Sequence, residues 1–268
     1  MRQAWISEEC AAIEANLRRA LASYATVHLD GIVDSLPGLF FVASGVAYPT
    51  FNIAMLSETF AGGAGAFSGA LKDASRFFRQ RRLPWSFWLC EEMLDPESRA
   101  KADRLLVSNS LRLVAEYRGM VAGHLLPPAR PLPELELQRV SSLGNRRSFR
   151  DLMSSVFNLP EEVSSAVYEG ERYWGNSMVG WIGYLGGRPV CSAATVTASG
   201  VIGLYSVATA AEARRRGCAE AITRLALMEA AAGRDVSRLI LQSTPAGFGL
   251  YCRLGFRDVA RFAVYVSS

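Results

Sequence analysis

The run Arg214-Arg215-Arg216-Gly217-Cys218-Ala219 constrains this chain more than any other stretch. It joins an apolar, strand-like segment, Val201 to Ala208, to a helix-like segment, Glu220 to Ala232. A strand, a turn of small and charged residues and a helix start imply an α/β crossover. They also imply an anion cradle. The first amides of a helix have no intrahelical partner, and the helix dipole favours negative charge there. Gly217 has no Cβ to keep a phosphate from the main chain. Three arginines beside a helix N-terminus oppose its dipole, and a bound anion would relieve that conflict.

A second segment, Leu250-Tyr251-Cys252-Arg253-Leu254-Gly255-Phe256, lies downstream, beyond the strand Leu239 to Ser243. The first run reads Arg-x-x-Gly-x-Ala. It resembles the acyl-CoA pyrophosphate loop of the GNAT (Gcn5-related) acetyltransferases, and the second resembles that family's Leu-Tyr-x-x-Leu-Gly-Phe segment. The likeness covers about residues 135 to 268. It implies an acyl-CoA-dependent N-acyltransferase that moves an acetyl group from acetyl-CoA, as co-substrate, directly to an amine. On this likeness Arg214, Arg215, Arg216, Gly217, Cys218 and Ala219 hold the pyrophosphate. Val207, Ala208 and Thr209 pair with the pantetheine arm, mostly through backbone. Thr244 stands where the family often has an asparagine on that arm, and Tyr251 is the catalytic candidate. A phenol near the departing thiolate can donate a hydrogen bond to it. The alternative from another class is a non-catalytic module that binds acyl-CoA for regulation or interaction.

The chain has 268 residues, half of them hydrophobic, and a net charge of +4. That supports one or two packed domains and gives no reason to invoke nucleic acid or a membrane. Five cysteines, an odd number with no CxxC spacing, argue against a disulfide scaffold and a metal site. Free thiols fit the cytoplasm, and the acidic residues Glu8, Glu9 and Glu14 do not fit a signal peptide. The apolar region Leu36 to Leu56 is broken by Pro37, Pro49 and Asn52 and reads as sheet.

Four of the eleven prolines fall between Pro127 and Pro133. Proline lacks an N–H and fixes φ, so this stretch reads as an extended linker. The expected domains are therefore 1–126, a linker at 127–134, and 135–268. Both halves run strand, strand, turn, helix, strand, helix, strand. Leu111 to Tyr117 shares Arg, Val and Ala in register with Phe256 to Phe262. We therefore expect two copies of one α/β (α+β) acyltransferase fold, each a mixed sheet flanked by helices. The first copy is degenerate: Leu106 stands for Tyr251, and Gly69 for Gly217 without the surrounding motif. It is expected to wall the substrate cleft or to pack.

Other motifs carry less. Gly62 to Gly69 reads as a turn before a helix at Ala70 to Arg82. With Glu91 or Glu92 it comes near a dinucleotide pattern, but its spacing is one residue too long. Arg146, Arg147 and Arg150 read as a solvated helix face, and Cys218 as a small residue filling the loop. The second half has no histidine. Glu171, Tyr173, Tyr205 and Glu212 are the available general bases. The acceptor amine and the oligomeric state leave no signal in the sequence.

Overall fold

A computed structural model describes residues 6–175, 177–198 and 200–267. In chain order the elements are α1 (Glu8–Ala22), β1 (Ile32–Leu36), β2 (Leu39–Ala43), β3 (Asn52–Leu56), α2 (Gly63–Gln80), β4 (Ser86–Cys90), α3 (Pro96–Ser108) and β5 (Leu111–Ala122). There follow β6 (Glu136–Arg139), α4 (Leu143–Phe157), α5 (Glu161–Tyr168), β7 (Met178–Leu185), β8 (Arg188–Ala198), β9 (Val201–Thr209), α6 (Cys218–Ala231), β10 (Arg238–Ser243), α7 (Pro245–Arg253) and β11 (Arg257–Ser267). They form two compact units, residues 1–119 with 259–268, and residues 120–258.

In the first unit β1, β2 and β3 are antiparallel, β3 and β4 are parallel, and β4 pairs antiparallel with β11. Ser7 caps α1 by accepting from the Cys10 amide at 3.1 Å. Cys10, Ile13, Leu17 and Leu21 form the helix's buried face, at the spacing the sequence shows. The core is aromatic: Phe41 stacks on Phe77 at 4.4 Å and Phe78 on Trp85 at 5.2 Å.

The glycine run is not a turn, because α2 starts at Gly63 and takes it in. Each interior glycine costs roughly 1 kcal/mol relative to alanine. Burial of Phe67, Ala70, Leu71, Ala74, Phe77 and Phe78 on one face outweighs that, at about 1.5–3 kcal/mol for each large side chain. Gly65 and Gly69 have open space where a Cβ would stand, as expected for the outer face. Helical geometry through both glycines removes the dinucleotide loop, and Glu91 and Glu92 instead pair with Arg99.

Asn52 is fully buried between β2, β3 and the start of β4. It accepts from the Ser44 amide and donates to the carbonyls of Val46, Tyr48 and Pro84. Asn52→Ala takes the partner from the Ser44 amide and the Pro84 carbonyl, at roughly 1–3 kcal/mol each, while the Val46 and Tyr48 carbonyls keep the Tyr48 and Phe51 amides. We expect a loss of about 2 kcal/mol or more in the stability of the first unit, readable by urea titration. A loss under about 1 kcal/mol would show that water replaces the network.

The second unit repeats this plan. β6, β7, β8 and β9 are antiparallel in sequence, and β9 and β10 are parallel across the α6 crossover. Helix, three antiparallel strands, crossover helix, parallel strand and helix thus recur in both units, as duplication predicts. The unit boundaries differ from the sequence expectation. β11, the last strand of the second copy, pairs with β4 of the first unit. Met120 and Ala122, at the end of β5, pack in the core of the second unit with Ile222, Leu241 and Leu254. The echo between Leu111–Tyr117 and Phe256–Phe262 marks these two strands.

The proline-rich stretch has no helix or strand, as expected, but it lies against the second unit. The Leu126 amide donates to the Leu254 carbonyl at 2.9 Å, and Arg224 donates to the Leu126 carbonyl at 2.7 Å.

Candidate functional site

β9 and β10 pair from Val201–Arg238 to Leu204–Leu241. Beyond that point β9 continues through Tyr205 to Thr209 and β10 through Gln242 and Ser243, with no pairing between them. Two strands that part in mid-sheet leave backbone donors and acceptors along both inner edges. On its other edge β9 bulges: Ser192 faces Ala208 while Ala194 faces Tyr205, so Ala193 opposes two residues. Ser206, in the bulge, has φ +52°. The left-handed region costs a non-glycine residue roughly 1–2 kcal/mol, and the Ser192 hydroxyl pins the strained peptide by donating to the Ser206 carbonyl at 3.1 Å. Bulges of this kind re-aim the backbone next to sites of function.

Val207, Ala208 and Thr209 follow the bulge. Thr209 Oγ1 and, on β10, Gln242 Nε2 are buried polar atoms without a hydrogen-bond partner. Each such atom costs about 1–3 kcal/mol when nothing satisfies it. The two lie where the strands part, and they suit a ligand with amide groups. Sequence reading passed over Gln242 and Ser206. A lone glutamine ending the apolar run Leu239–Leu241 was the available signal.

After β9 the chain makes a short 3₁₀ turn anchored by buried Ala213, then runs through the exposed Arg214, Arg215 and Arg216 to Gly217. Arg215 has φ +60° and Gly217 φ +86°, and no side chain caps α6. Left-handed residues at a helix start turn successive amides into one concavity, which suits an anion. Arg214 Nε also donates to the Thr209 carbonyl at 3.3 Å. α6 is held by Cys218, Ile222, Ala226 and Leu227 on its buried face. Gly217 is required twice over, by its φ and by Pro133 Cδ, which lies 3.1 Å from where a Cβ would stand. Leu132 and Pro133 therefore form one flank of the loop. Burial raises the Cys218 thiol despite the nearby Arg216 charge, and burial pushes Cys191 up to about 12. Cys218 thus packs on the buried face of α6, where the thiolate that a nucleophile needs is disfavoured.

Thr244 caps α7: its hydroxyl oxygen accepts from the Gly247 amide at 3.2 Å. Its acceptor is used in this way, and its hydroxyl proton can still be donated. Tyr251, on α7, is 8% exposed and packs edge-on to Phe256. Burial holds its phenol well above the ordinary tyrosine range, so the group stays a hydrogen-bond donor at any physiological pH. The candidate bases are scattered. Glu171 is exposed and pairs with Arg146, Glu212 is exposed, and Tyr173 is buried against Trp174. Tyr205 stands at the edge of the bulge. The arginine cluster is neutralised rather than merely solvated. Arg150 meets Asp151, Glu161 and Glu169, Arg147 meets Glu169, and Arg146 is itself buried.

The first unit shows the same junction closed. Past β3 and β4 the two chains rejoin in a parallel bridge, Phe60 with Leu94, with Phe60 N to Met93 O at 2.7 Å and Asp95 N to Phe60 O at 2.9 Å. Gly63 opens the crossover helix with φ +69°, so it, and not Gly69, stands for Gly217. Its amide donates to Asp95 Oδ2 at 3.2 Å. Although burial pushes the Asp95 carboxyl up, hydrogen bonds from Ser98, Gly63 and Glu97 hold it below the usual range. An internal carboxylate thus occupies the place that the second unit leaves open.

No protein-family model matches the sequence, and no curated protein matches it significantly. Solved structures do. A GCN5-related N-acetyltransferase from Kribbella flavida is similar over 94% of this chain and 95% of its own, with TM-score 0.70 and 17% identity. One from Sphaerobacter thermophilus is similar over 86% and 76%, with TM-score 0.56 and 16% identity. A tandem GNAT protein from the clavulanic acid biosynthesis pathway is similar over 85% and 78%, with TM-score 0.54 and 10% identity. The chain has the mixed α/β fold of the GNAT acetyltransferases.

Proposed function

We propose that the second unit binds acetyl-CoA, or another short acyl-CoA, and transfers the acyl group to an amine. One observation carries this reading: β9 and β10 part after Leu204–Leu241, and the gap stands beside the uncapped start of α6. The closed junction of the first unit shows that the fold does not require the gap.

In this reading the amides from Arg215 to Ala219 hold a pyrophosphate, with Arg214, Arg215 and Arg216 adding positive field. Charged hydrogen bonds of this kind contribute about 1.5–3 kcal/mol each. The free edge of Val207, Ala208 and Thr209 pairs with the pantetheine amides, and Gln242 Nε2 and the Thr244 hydroxyl supply further donors. The bound thioester supplies the acyl group. The amine nitrogen attacks its carbonyl, the C–N bond forms, the C–S bond breaks, and the amine proton passes to water or a base. An amide near Val207, aimed by the bulge, steadies the charge on the carbonyl oxygen. Tyr251 donates a hydrogen bond to the leaving sulfur. Proton transfer from an ordinary tyrosine to a thiolate is already uphill by about 2 kcal/mol. Burial of the phenol widens that gap, so hydrogen bonding is the role that fits.

Titrating the full chain with coenzyme A in a calorimeter tests the binding. We expect one site per chain, weakened by added pyrophosphate. Absence of heat, with the chain folded, would remove the reading. Coenzyme A binding with no thiol release from acetyl-CoA, across amino acids, polyamines and peptide amines, would leave the regulatory module in its place. Among the described residues no helix is long and apolar enough to cross a membrane.

A further inference from the structure

The first unit brings together four side chains that the sequence keeps far apart. Cys10 and Glu14 lie one turn apart on the buried face of α1, Cys90 ends β4, and Glu92 follows it. Cys10 Sγ and Cys90 Sγ are 3.6 Å apart, and Cys90 Sγ and Glu92 Oε2 are 3.5 Å apart. The ligand atoms of Cys10, Cys90 and Glu92 all lie within 4.8 Å of one another. The Glu14 carboxyl, 2% exposed, hydrogen-bonds with Cys90. We propose that Cys10, Cys90 and Glu92 form three corners of a tetrahedral site for a thiophilic divalent cation of the zinc type, with Glu14 beside Cys90 as an outer partner.

The distances support this. With metal–sulfur bonds of ~2.3 Å and metal–oxygen bonds of ~2.0 Å, tetrahedral angles put two thiolates about 3.8 Å apart and a thiolate and a carboxylate about 3.5 Å apart. Both observed separations are near these edges. Charge supports it too. Two thiolates and two carboxylates exceed a divalent ion by two negative charges. Arg18 pairs with Glu14 at 3.1 Å, and Arg99, shared with Glu91, pairs with Glu92 at 2.9 Å, which offsets part of that excess. The Arg261 amide donates to Glu92 Oε2 at 2.9 Å. Such outer partners fix the orientation of a ligating carboxylate. Glu92 is partly exposed and gives the ion a way in. Binding forms two metal–thiolate bonds and one metal–carboxylate bond, with water at the fourth corner, and the two thiol protons leave to solvent. The ion would pin α1 to β4.

Cobalt(II) titration of the full chain, kept reduced with a phosphine, tests the site. We expect one equivalent to produce a thiolate-to-cobalt charge-transfer band and tetrahedral visible bands, which zinc then displaces. Cys10→Ser and Cys90→Ser should each remove the band, and Cys252→Ser should keep it. Glu14→Gln should weaken affinity about tenfold or more. If the serine variants unfold, the parent still decides: its melting temperature should rise with zinc and fall back with chelator. No band and no thermal shift in the parent, or a band that depends on Cys252, would overturn the proposal.

Discussion

Gly217→Val is expected to weaken coenzyme A binding at least about 100-fold. The position sits at φ +86°, where a Cβ costs roughly 1–2 kcal/mol. The new side chain also meets Pro133 Cδ at 3.1 Å from its Cβ. The loop must then rotate or move away, and the amides that start α6 lose their common direction. Losing two charged hydrogen bonds at about 1.5–3 kcal/mol each predicts a drop of roughly 10²–10⁴ in affinity. The loop is exposed, so the fold should survive with a melting temperature lowered by several degrees. Gly217→Ala should show the same change at smaller size. Calorimetry beside a melting curve separates the two effects. Parental affinity in the valine variant would show that the anion is held elsewhere.

Tyr251→Phe should leave coenzyme A affinity within about twofold and lower kcat by about 10²-fold, the usual worth of one positioned hydrogen-bond donor. The substitution removes a single oxygen from a packed ring, so the edge contact with Phe256 is kept. Burial fixes the sign of the pH dependence. In the proposed reaction the neutral phenol is the working form, and burial holds its titration well above the ordinary range. Any basic limb governed by Tyr251 therefore falls above pH ~10, and the variant's profile should keep the parental shape below it. A kcat within about threefold of the parent would reduce Tyr251 to packing.

Much of the second unit was legible because its periodicities are strong and its motifs are local. The strand Val201–Thr209, the loop through Gly217 and the helix start at Cys218 follow from twenty neighbouring residues, Val201 to Glu220. The first unit was harder. Gly62 to Gly69 has the composition of a turn, and the aromatic face that makes most of it helical shows only when Phe67 is read with Phe77 and Phe78. β1, Ile32–Leu36, is short and exposed along most of its length, so it carries no alternation to detect. The bulge at Ser206 depends on which residue of β8 faces which of β9, and a single strand does not encode that. The Cys10–Cys90 cluster joins positions eighty residues apart, beyond any spacing rule for metal ligands. The contrast between units depends on structure in the same way. Asp95 caps the helix Pro96–Ser108, and only the fold shows that it also takes the Gly63 amide.

The exchange of terminal strands has a consequence for biogenesis. β4 finds its antiparallel neighbour in β11, which the ribosome makes only after all of residues 120–258. The earlier half therefore waits, with one flank unfinished, while the later half is being translated. Cutting the gene at the proline-rich stretch would not yield two native halves: one product would lack β11, and the other would carry β11 without its neighbour β4.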